Sequence, residues 1–144
     1  MPTMILVNLP VADLPRSVRF FRTLGYDSDP DFSDESAVGM AISPDIYAML
    51  LTHDRFRQYT PKAICDTATH TEVLVTLRCE SRAAVDEMVG KAVAAGGATF
   101  AEPIDFGSLY SRSFTDLDGH IWEVLWMDPA IPATFEGGGE AKQG

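Results

Sequence analysis

SFTDLDGHIWEVLWMD, residues 113–128, is typical of two β-strands joined by a tight turn, because apolar runs flank an Asp-Gly pair. The second strand has one acid, Glu123, set among apolar residues: Ile121, Trp122, Val124, Leu125 and Trp126. A carboxylate buried in such a strand is costly unless it is paired. Glu123 is therefore predicted to find a metal ion, a hydrogen-bond donor or a proton.

The length and composition of the chain predict one globular domain. It has 144 residues, of which 46% are hydrophobic and 22% charged, a balance unlike that of disordered or membrane-embedded chains. The net charge of −10 and the scatter of only 11 Lys and Arg residues disfavour a nucleic-acid partner, because phosphate binding needs clustered basic side chains. No apolar run is long enough to span a membrane and no signal peptide is evident, so we expect a cytoplasmic protein without a membrane partner.

The N-terminal half predicts a strand, a helix and further strands. The apolar run at residues 4–9 has the length of a strand, and a helix is predicted to begin near Leu14, with Asp13 as its N-cap. Gly25 lies where this helix should end. Three segments follow, of which the first is either an exposed connection or an edge strand: 27–34, 36–42 and 46–52.

The same order returns from Thr71 onward. A strand at 71–79 is followed by a helix with Ser81 as its N-cap, and this helix ends at Gly96. Three more strands are predicted: 98–101, 109–115 and 120–127. The chain is thus interpreted as two βαβββ modules in a single domain, with a linker and a flexible C-terminal tail: domain 1–128, modules 4–53 and 70–128, linker 54–69, tail 129–144.

Two segments, VADLPRSVRFFRTLGYD at 11–27 and DLDGHIWEV at 116–124, resemble the signature segments of the vicinal oxygen chelate superfamily. This superfamily includes glyoxalase I, bleomycin-resistance proteins and extradiol dioxygenases, and the resemblance spans about residues 4–128. It implies an α+β fold in which both modules form a curled, U-shaped mixed sheet, a half-barrel with helices on the outside. It also implies a ligand site on the concave face, and a homodimer.

The resemblance implies that any metal ligands come from the first and last strands of each module. The corresponding positions are apolar in the first module, at Leu6 and at or beside Leu50, and acidic in the second, at Glu72 and Glu123. Two carboxylates alone would bind a divalent ion such as Zn, Ni, Mn or Fe weakly. His70 could be a third ligand if its strand already runs at that point, or it could lie in the preceding loop and meet solvent.

Glu72 and Glu123 are also the candidate catalytic residues. Two acids close together raise the pKa of one of them, which would suit a general base. The alternative is that both are ordinary acids, solvated or paired with arginine, in a chain that has 21 acidic residues.

Four further residues are predicted to contact a ligand. Arg112 and Tyr110 share one strand face, where Arg112 could hold an anion with both of its terminal nitrogens, or could neutralise one of the two glutamates. Asn8 is a polar contact on the face of the Leu6 position, or a partner of a neighbouring strand. Phe106 precedes the Tyr110 strand in a glycine-containing loop, and these aromatic residues either cover the site or seal the core.

Two functions are consistent with these residues. The first is a glyoxalase-like lyase or isomerase, related to lactoylglutathione lyase, that acts on a small carbonyl-bearing molecule through metal or proton chemistry at Glu72 and Glu123. The second is a non-catalytic protein that resembles bleomycin-resistance proteins and sequesters an aromatic or cationic small molecule. The apolar positions of the first module favour the second function, and the fold alone does not separate the two.

Overall fold

The computed structural model describes residues 3–130, so the predicted C-terminal tail lies outside the described residues from position 131 onward. The first module contains β1 (Ile5–Val11), α1 (Leu14–Thr23), β2 (Asp27–Ser33), β3 (Ala37–Ser43), β4 (Ile46–Thr52) and the short α2 (His53–Arg57). The second contains β5 (Leu74–Arg78), α3 (Arg82–Ala94), β6 (Ala98–Thr99), β7 (Ile104–Asp105), β8 (Leu109–Thr115) and β9 (Ile121–Met127).

Both long helices begin where the sequence predicts. The Asp13 side chain accepts a hydrogen bond from the Arg16 N–H at 3.1 Å, and the Ser81 hydroxyl accepts one from the Ala84 N–H at 3.0 Å. Each cap satisfies an N–H that the first helical turn leaves free. Gly25 follows α1 at φ +107°, a left-handed conformation that a residue without Cβ adopts readily. None of the helices within residues 3–130 has the length and apolarity needed to cross a membrane.

The strands form two mixed sheets, which confirms the predicted α+β class. Sheet A has the order β1-β4-β3-β2, and sheet B has the order β5-β9-β8-β6, with β7 paired to β8. In each sheet the first strand of the module runs parallel to the last, and the remaining pairs are antiparallel. The two modules therefore form two sheets of the same topology, and no strand pair joins these sheets within residues 3–130.

Some boundaries differ from the sequence prediction. Residues 27–33 form strand β2, which decides between the two alternatives for that segment. Strand β7 was not predicted, since it is only two residues long and follows Pro103 directly. β5 begins at Leu74 rather than Thr71, so Glu72 precedes the strand instead of lying in it.

Helices α1 and α3 and both sheets contribute to one core. Phe20 and Phe21 of α1 lie with their ring centroids 6.2 Å from Phe114 and 5.2 Å from Trp122 of sheet B, respectively. The same core contains Leu50 of sheet A, with side chains from both helices. α1 thus packs against its own sheet and against the sheet of the other module.

Because side chains alternate across a strand, each sheet has a core face, in contact with this shared core, and an outer face on its other side. On the outer face of sheet A, Tyr47, Met49 and Leu51 pack with Phe32 and Phe56 in a second apolar cluster. The outer face of sheet B consists of alternate residues of three strands: 74, 76 and 78 of β5, 121, 123, 125 and 127 of β9, and 109, 111, 113 and 115 of β8. The shared core therefore lies between the two outer faces.

Candidate functional site

Glu123 lies in the middle of a row of polar residues on the outer face of sheet B. Thr76 of β5 and Ser113 of β8 are its partners in strand register on either side. The Thr76 hydroxyl donates a hydrogen bond to Glu123 Oε1 at 3.1 Å. Glu123 is half-buried, and Ser113 is only 7% exposed. Glu123 is thus paired with a hydrogen-bond donor, one of the three partners predicted for it. Its second oxygen, Oε2, accepts no hydrogen bond from residues 3–130.

Apolar residues and one cation surround this row on the same face. Leu74 and Ile121 are paired in register on one side of the row, and Arg78 and Leu125 are paired on the other. Leu74 is 57% exposed, whereas Ile121 is buried. The outer face of sheet B therefore presents a carboxylate with a free oxygen, flanked by hydroxyls and apolar side chains.

Glu72 is not close to this row, and the predicted pairing of Glu72 with Glu123 is absent. Its Oε1 lies 3.1 Å from His120 Nδ1, within ion-pair distance, although the two atoms are not aligned as a hydrogen bond. His120 is buried, and its Nε2 lies 2.9 Å from the Pro10 carbonyl oxygen, to which it donates. The register partner of Glu123 is Thr76, four residues after Glu72, which is about 13 Å along an extended chain.

His70 also lies apart from Glu123. It is exposed in the loop before β5, where the Thr69 hydroxyl lies 2.7 Å from its Nδ1. This is the second of the two placements considered for His70. Within residues 3–130, no group of three or more His, Cys, Asp or Glu side chains is arranged to hold a metal ion. The predicted set of His70, Glu72 and Glu123 does not fit a divalent metal in this chain, because its members lie at three separate places.

Arg112 and Tyr110 lie on the core face of sheet B, opposite to Glu123. Arg112 pairs in register with Val124, a core residue, so its side chain points toward α3. The Tyr110 hydroxyl donates to Asp86 Oδ1 at 2.7 Å, and Arg112 Nη1 donates to the same atom at 3.0 Å. These hydrogen bonds, that of Tyr110 first, lower the pKa of Asp86. Arg112 therefore neutralises neither Glu72 nor Glu123, which was the alternative considered for it, since its ion-pair partner is Asp86. A ligand contact of Arg112 and Tyr110 stays a prediction.

Phe106 stands at the tip of the turn between β7 and β8 and is 73% exposed, so it does not seal the core. Arg82 of α3 clamps this turn, because its guanidinium forms an ion pair with Asp105 and donates to the Gly107 carbonyl oxygen at 3.3 Å. Arg82 also lies over the Tyr110 ring, 4.4 Å from the ring centroid. A role for Phe106 in covering a ligand stays a prediction.

Asn8 lies on the outer face of sheet A, where it pairs in register with Met49. It is exposed, and its side chain makes no hydrogen bond with residues 3–130. The alternative considered for Asn8, a bond to a neighbouring strand, is therefore not present among residues 3–130. Asn8 stays a predicted ligand contact, on a different outer face from Glu123.

The ion pair between Arg82 and Asp105, which holds the turn between β7 and β8, should weaken at low pH. The hydrogen bond from Arg82, followed by that from the Gly107 N–H, lowers the pKa of Asp105. The pKa of this carboxyl group in the unfolded chain is about 3.9. Because its pKa in the folded protein is lower, the group stabilises the fold at pH values above about 3.9, and this stabilisation is lost as the pH falls through the folded pKa. We expect the Phe106 and Gly107 amide signals to titrate with a midpoint below about 3.9 in an NMR series. A midpoint that is unchanged in Arg82→Gln would contradict this assignment.

Two clefts flank sheet B. One has a volume of about 410 Å³ at the ends of β5 and β9 and is lined by Arg78, Cys79, Glu80, Trp126, Met127 and Pro129. The other, of about 420 Å³, is lined by residues 99–103 and Arg112. The first cleft adjoins the outer face of sheet B through Arg78 and Met127.

Thr76, Arg78 and Ser113 were not predicted from the sequence as residues of this face. The alternation along residues 72–78 nevertheless places Thr76 and Arg78 on one face of their strand.

Comparisons with known proteins agree with this architecture. A family model described as bleomycin resistance protein-like N-terminal matches residues 3–43. A solved structure of a hypothetical protein, SA1046 from S. aureus, is 30% identical, with 88% of this chain and 94% of that chain covered and a TM-score of 0.74. No curated protein matches the chain.

Two further solved structures show the same fold at lower identity. A glyoxalase/bleomycin resistance protein/dioxygenase from Nocardioides is 22% identical over 94% of this chain and 90% of that chain, with a TM-score of 0.69. The fosfomycin resistance protein FosX from Listeria monocytogenes is 17% identical over 94% of this chain and 97% of that chain, with a TM-score of 0.63.

Proposed function

The chain belongs to the vicinal oxygen chelate superfamily of glyoxalase, bleomycin-resistance and dioxygenase-type proteins, and we propose that it binds a small organic molecule on the outer face of sheet B. One observation carries the proposal. Glu123 is half-buried, has one oxygen held by Thr76, and keeps the other free beside apolar side chains. Such a carboxylate can accept a hydrogen bond from a ligand whose body packs on Leu125 and Leu74.

The arrangement gives less support to a lyase or isomerase that uses two carboxylates. Such chemistry at Glu72 and Glu123 needs both side chains at one ligand, either to share a metal ion or to move a proton between neighbouring atoms. In this chain Glu72 is engaged with buried His120, away from the polar row of Glu123. A non-catalytic binding protein requires only Glu123 and its surroundings.

We also propose that the protein is a homodimer. β1 and β5 are edge strands of their sheets, with unpaired backbone groups along one side. Large apolar side chains are exposed on or beside these edges: Ile5, Leu6, Ile46 and Leu74. A second copy of the chain would cover these side chains and bring the outer face of sheet A of one copy near the outer face of sheet B of the other. Light scattering coupled to size-exclusion chromatography measures this directly.

Glu123→Gln is expected to weaken the binding of a cationic aromatic probe by roughly tenfold or more, because it removes a charge-assisted hydrogen bond. Benzylamine is a suitable probe, titrated into labelled protein and followed through backbone amide signals. We expect the signals of Thr76, Ser113 and Glu123 to move, with wild-type affinity in the millimolar range. Glu35→Gln, which removes an exposed carboxylate between β2 and β3, is the matched control and should bind as the wild type does.

Two outcomes would overturn the proposal. One is a benzylamine titration in which signals outside sheet B move and those around Glu123 do not. The other is equal affinity of the wild type and Glu123→Gln. Either result would remove Glu123 as the anchor of a ligand.

A further inference from the structure

We infer that the natural ligand is zwitterionic, with an ammonium group held by Glu123 and a carboxylate held by Arg78, while its apolar body lies on Leu125 between them. The inference rests on the proposed function, since it assigns a ligand class to the same face of sheet B. It adds a second charged contact that was not among the residues predicted from the sequence.

Strand register places the two charges on one face. Thr76 pairs with Glu123, and Arg78, two residues further along β5, pairs with Leu125. Two residue rises along a strand and one step across to the neighbouring strand separate the Cα atoms of Glu123 and Arg78 by about 8 Å. Both side chains stand on the outer face, because each is an even number of residues from the Thr76 and Glu123 pair in its own strand.

Glu123 and Arg78 do not neutralise each other. Their side chains form no ion pair, and within residues 3–130 the Arg78 guanidinium makes no hydrogen bond to another side chain or to the backbone. By contrast, Arg82 and Arg112, at the other side of the sheet, are both paired with aspartates. An exposed guanidinium with all its donors free suits a carboxylate, which it can hold with two parallel hydrogen bonds.

The space beside Arg78 is large enough for such a ligand. The cleft of about 410 Å³ lies beside Arg78 at the ends of β5 and β9, and its lining also includes Glu80 and Met127. Small-molecule sites usually have volumes of about 300–1,000 Å³ with apolar walls and a few polar anchors. Met127 and Trp126 of β9 supply apolar side chains to this cleft, and Leu125, the register partner of Arg78, lies between the cleft and Glu123 along β9.

A ligand with both charges is expected to bind better than one with a single charge. A purely cationic molecule would leave Arg78 unpaired, and a purely anionic one would lie beside Glu123 with like charges close together. A zwitterion satisfies both anchors and brings no net charge to a protein of net charge −10. Glu123 and Arg78 together therefore favour a ligand that has both an ammonium and a carboxylate group. A ligand with only one of these groups gains only one charged contact.

The test uses three probes with one ring: 4-(aminomethyl)benzoate, benzylamine and benzoate. Each is titrated into the wild-type protein and followed through backbone amide signals. We expect 4-(aminomethyl)benzoate to bind roughly tenfold more tightly than benzylamine, which corresponds to about 1.4 kcal/mol, and to move the signals of Thr76, Arg78 and Leu125. Benzoate should bind most weakly.

Arg78→Gln should remove the advantage of 4-(aminomethyl)benzoate and should not weaken benzylamine binding, because it removes a positive charge near the ammonium group. Arg78→Lys keeps the charge without the planar fork and should retain part of the advantage. Arg19→Gln, which removes an exposed arginine of α1, is the matched control and should behave as the wild type. The amide spectrum of each variant shows whether it is folded.

The outcomes separate this inference from the proposed function. If benzylamine binds at Glu123 but 4-(aminomethyl)benzoate gains nothing, or keeps its gain in Arg78→Gln, the zwitterion assignment is wrong and the proposed function stands. If neither probe moves signals on the outer face of sheet B, both are wrong.

Discussion

Replacing Trp122 with alanine is expected to lower the free energy of unfolding by about 3–5 kcal/mol. Trp122 is 1% exposed and lies at the junction of the two modules. Its ring centroid is 5.2 Å from that of Phe21 of the first module and 6.4 Å from that of Phe114, with the latter ring nearly parallel. Truncation would leave a cavity where both modules meet, and a close-packed core collapses only partly into such a cavity.

Urea denaturation followed by circular dichroism measures this loss. Trp122→Phe, which keeps an aromatic ring of smaller volume, is the matched variant and should lose roughly half as much or less. Trp126→Ala tests the position dependence, because Trp126 is only partly buried at the edge of the core. A loss below about 1 kcal/mol in Trp122→Ala would mean that the packing between modules contributes little to stability.

Alternation along one strand accounts for the opposite faces of Trp122 and Glu123. Apolar and polar residues with a period of two can be assigned to opposite faces wherever one face enters a core. The N-caps Asp13 and Ser81 were predictable for a similar reason, because a cap depends on contacts within four residues of the chain. Local chemistry was sufficient for these parts of the fold.

Arg112 shows what alternation does not provide. The pattern places Tyr110, Arg112 and Phe114 on one face of β8, but the pairing with β9 determines which face that is. Register sets Arg112 against Val124 and Ser113 against Glu123, so the arginine faces the core and a serine faces the site. Register depends on contacts between distant residues, and a shift by one residue would exchange the two faces.

Glu72 shows the effect of an error in a strand boundary. Treating residue 72 as part of β5 places its carboxylate on the face of Thr76. Glu72 in fact lies just before β5, where the alternation does not hold, and its carboxylate meets the imidazole of His120 instead. His120 is buried, as alternation from Glu123 would place it.

Asp116→Ala is the other change with a large expected effect, a loss of about 2–4 kcal/mol of unfolding free energy. Asp116 is buried, and its Oδ1 accepts hydrogen bonds from the Asp118 and His120 N–H groups at 2.9 and 3.0 Å. Its Oδ2 accepts the indole N–H of Trp122 at 3.0 Å. Burial raises the pKa of this carboxyl group, against the smaller lowering effects of His120 and of the hydrogen bonds. The hydrogen bonds of Asp116 therefore hold the backbone of the turn between β8 and β9.

The variant series separates the contributions of the turn. Asp116→Asn keeps an oxygen for the two backbone donors but sets its NH₂ group against the Trp122 indole N–H, so we expect a loss of about 1–2 kcal/mol. Asp118→Ala removes acceptors of the Ala12 N–H and the Ser17 hydroxyl in the first module, on a half-buried side chain, and should lose about 1 kcal/mol. Urea denaturation should therefore give the order Asp116→Ala, Asp116→Asn, Asp118→Ala. The reverse order would mean that the hydrogen bonds of Asp118 to the first module stabilise the fold more than the buried hydrogen bonds of Asp116, which hold Trp122 and the start of the Glu123 strand.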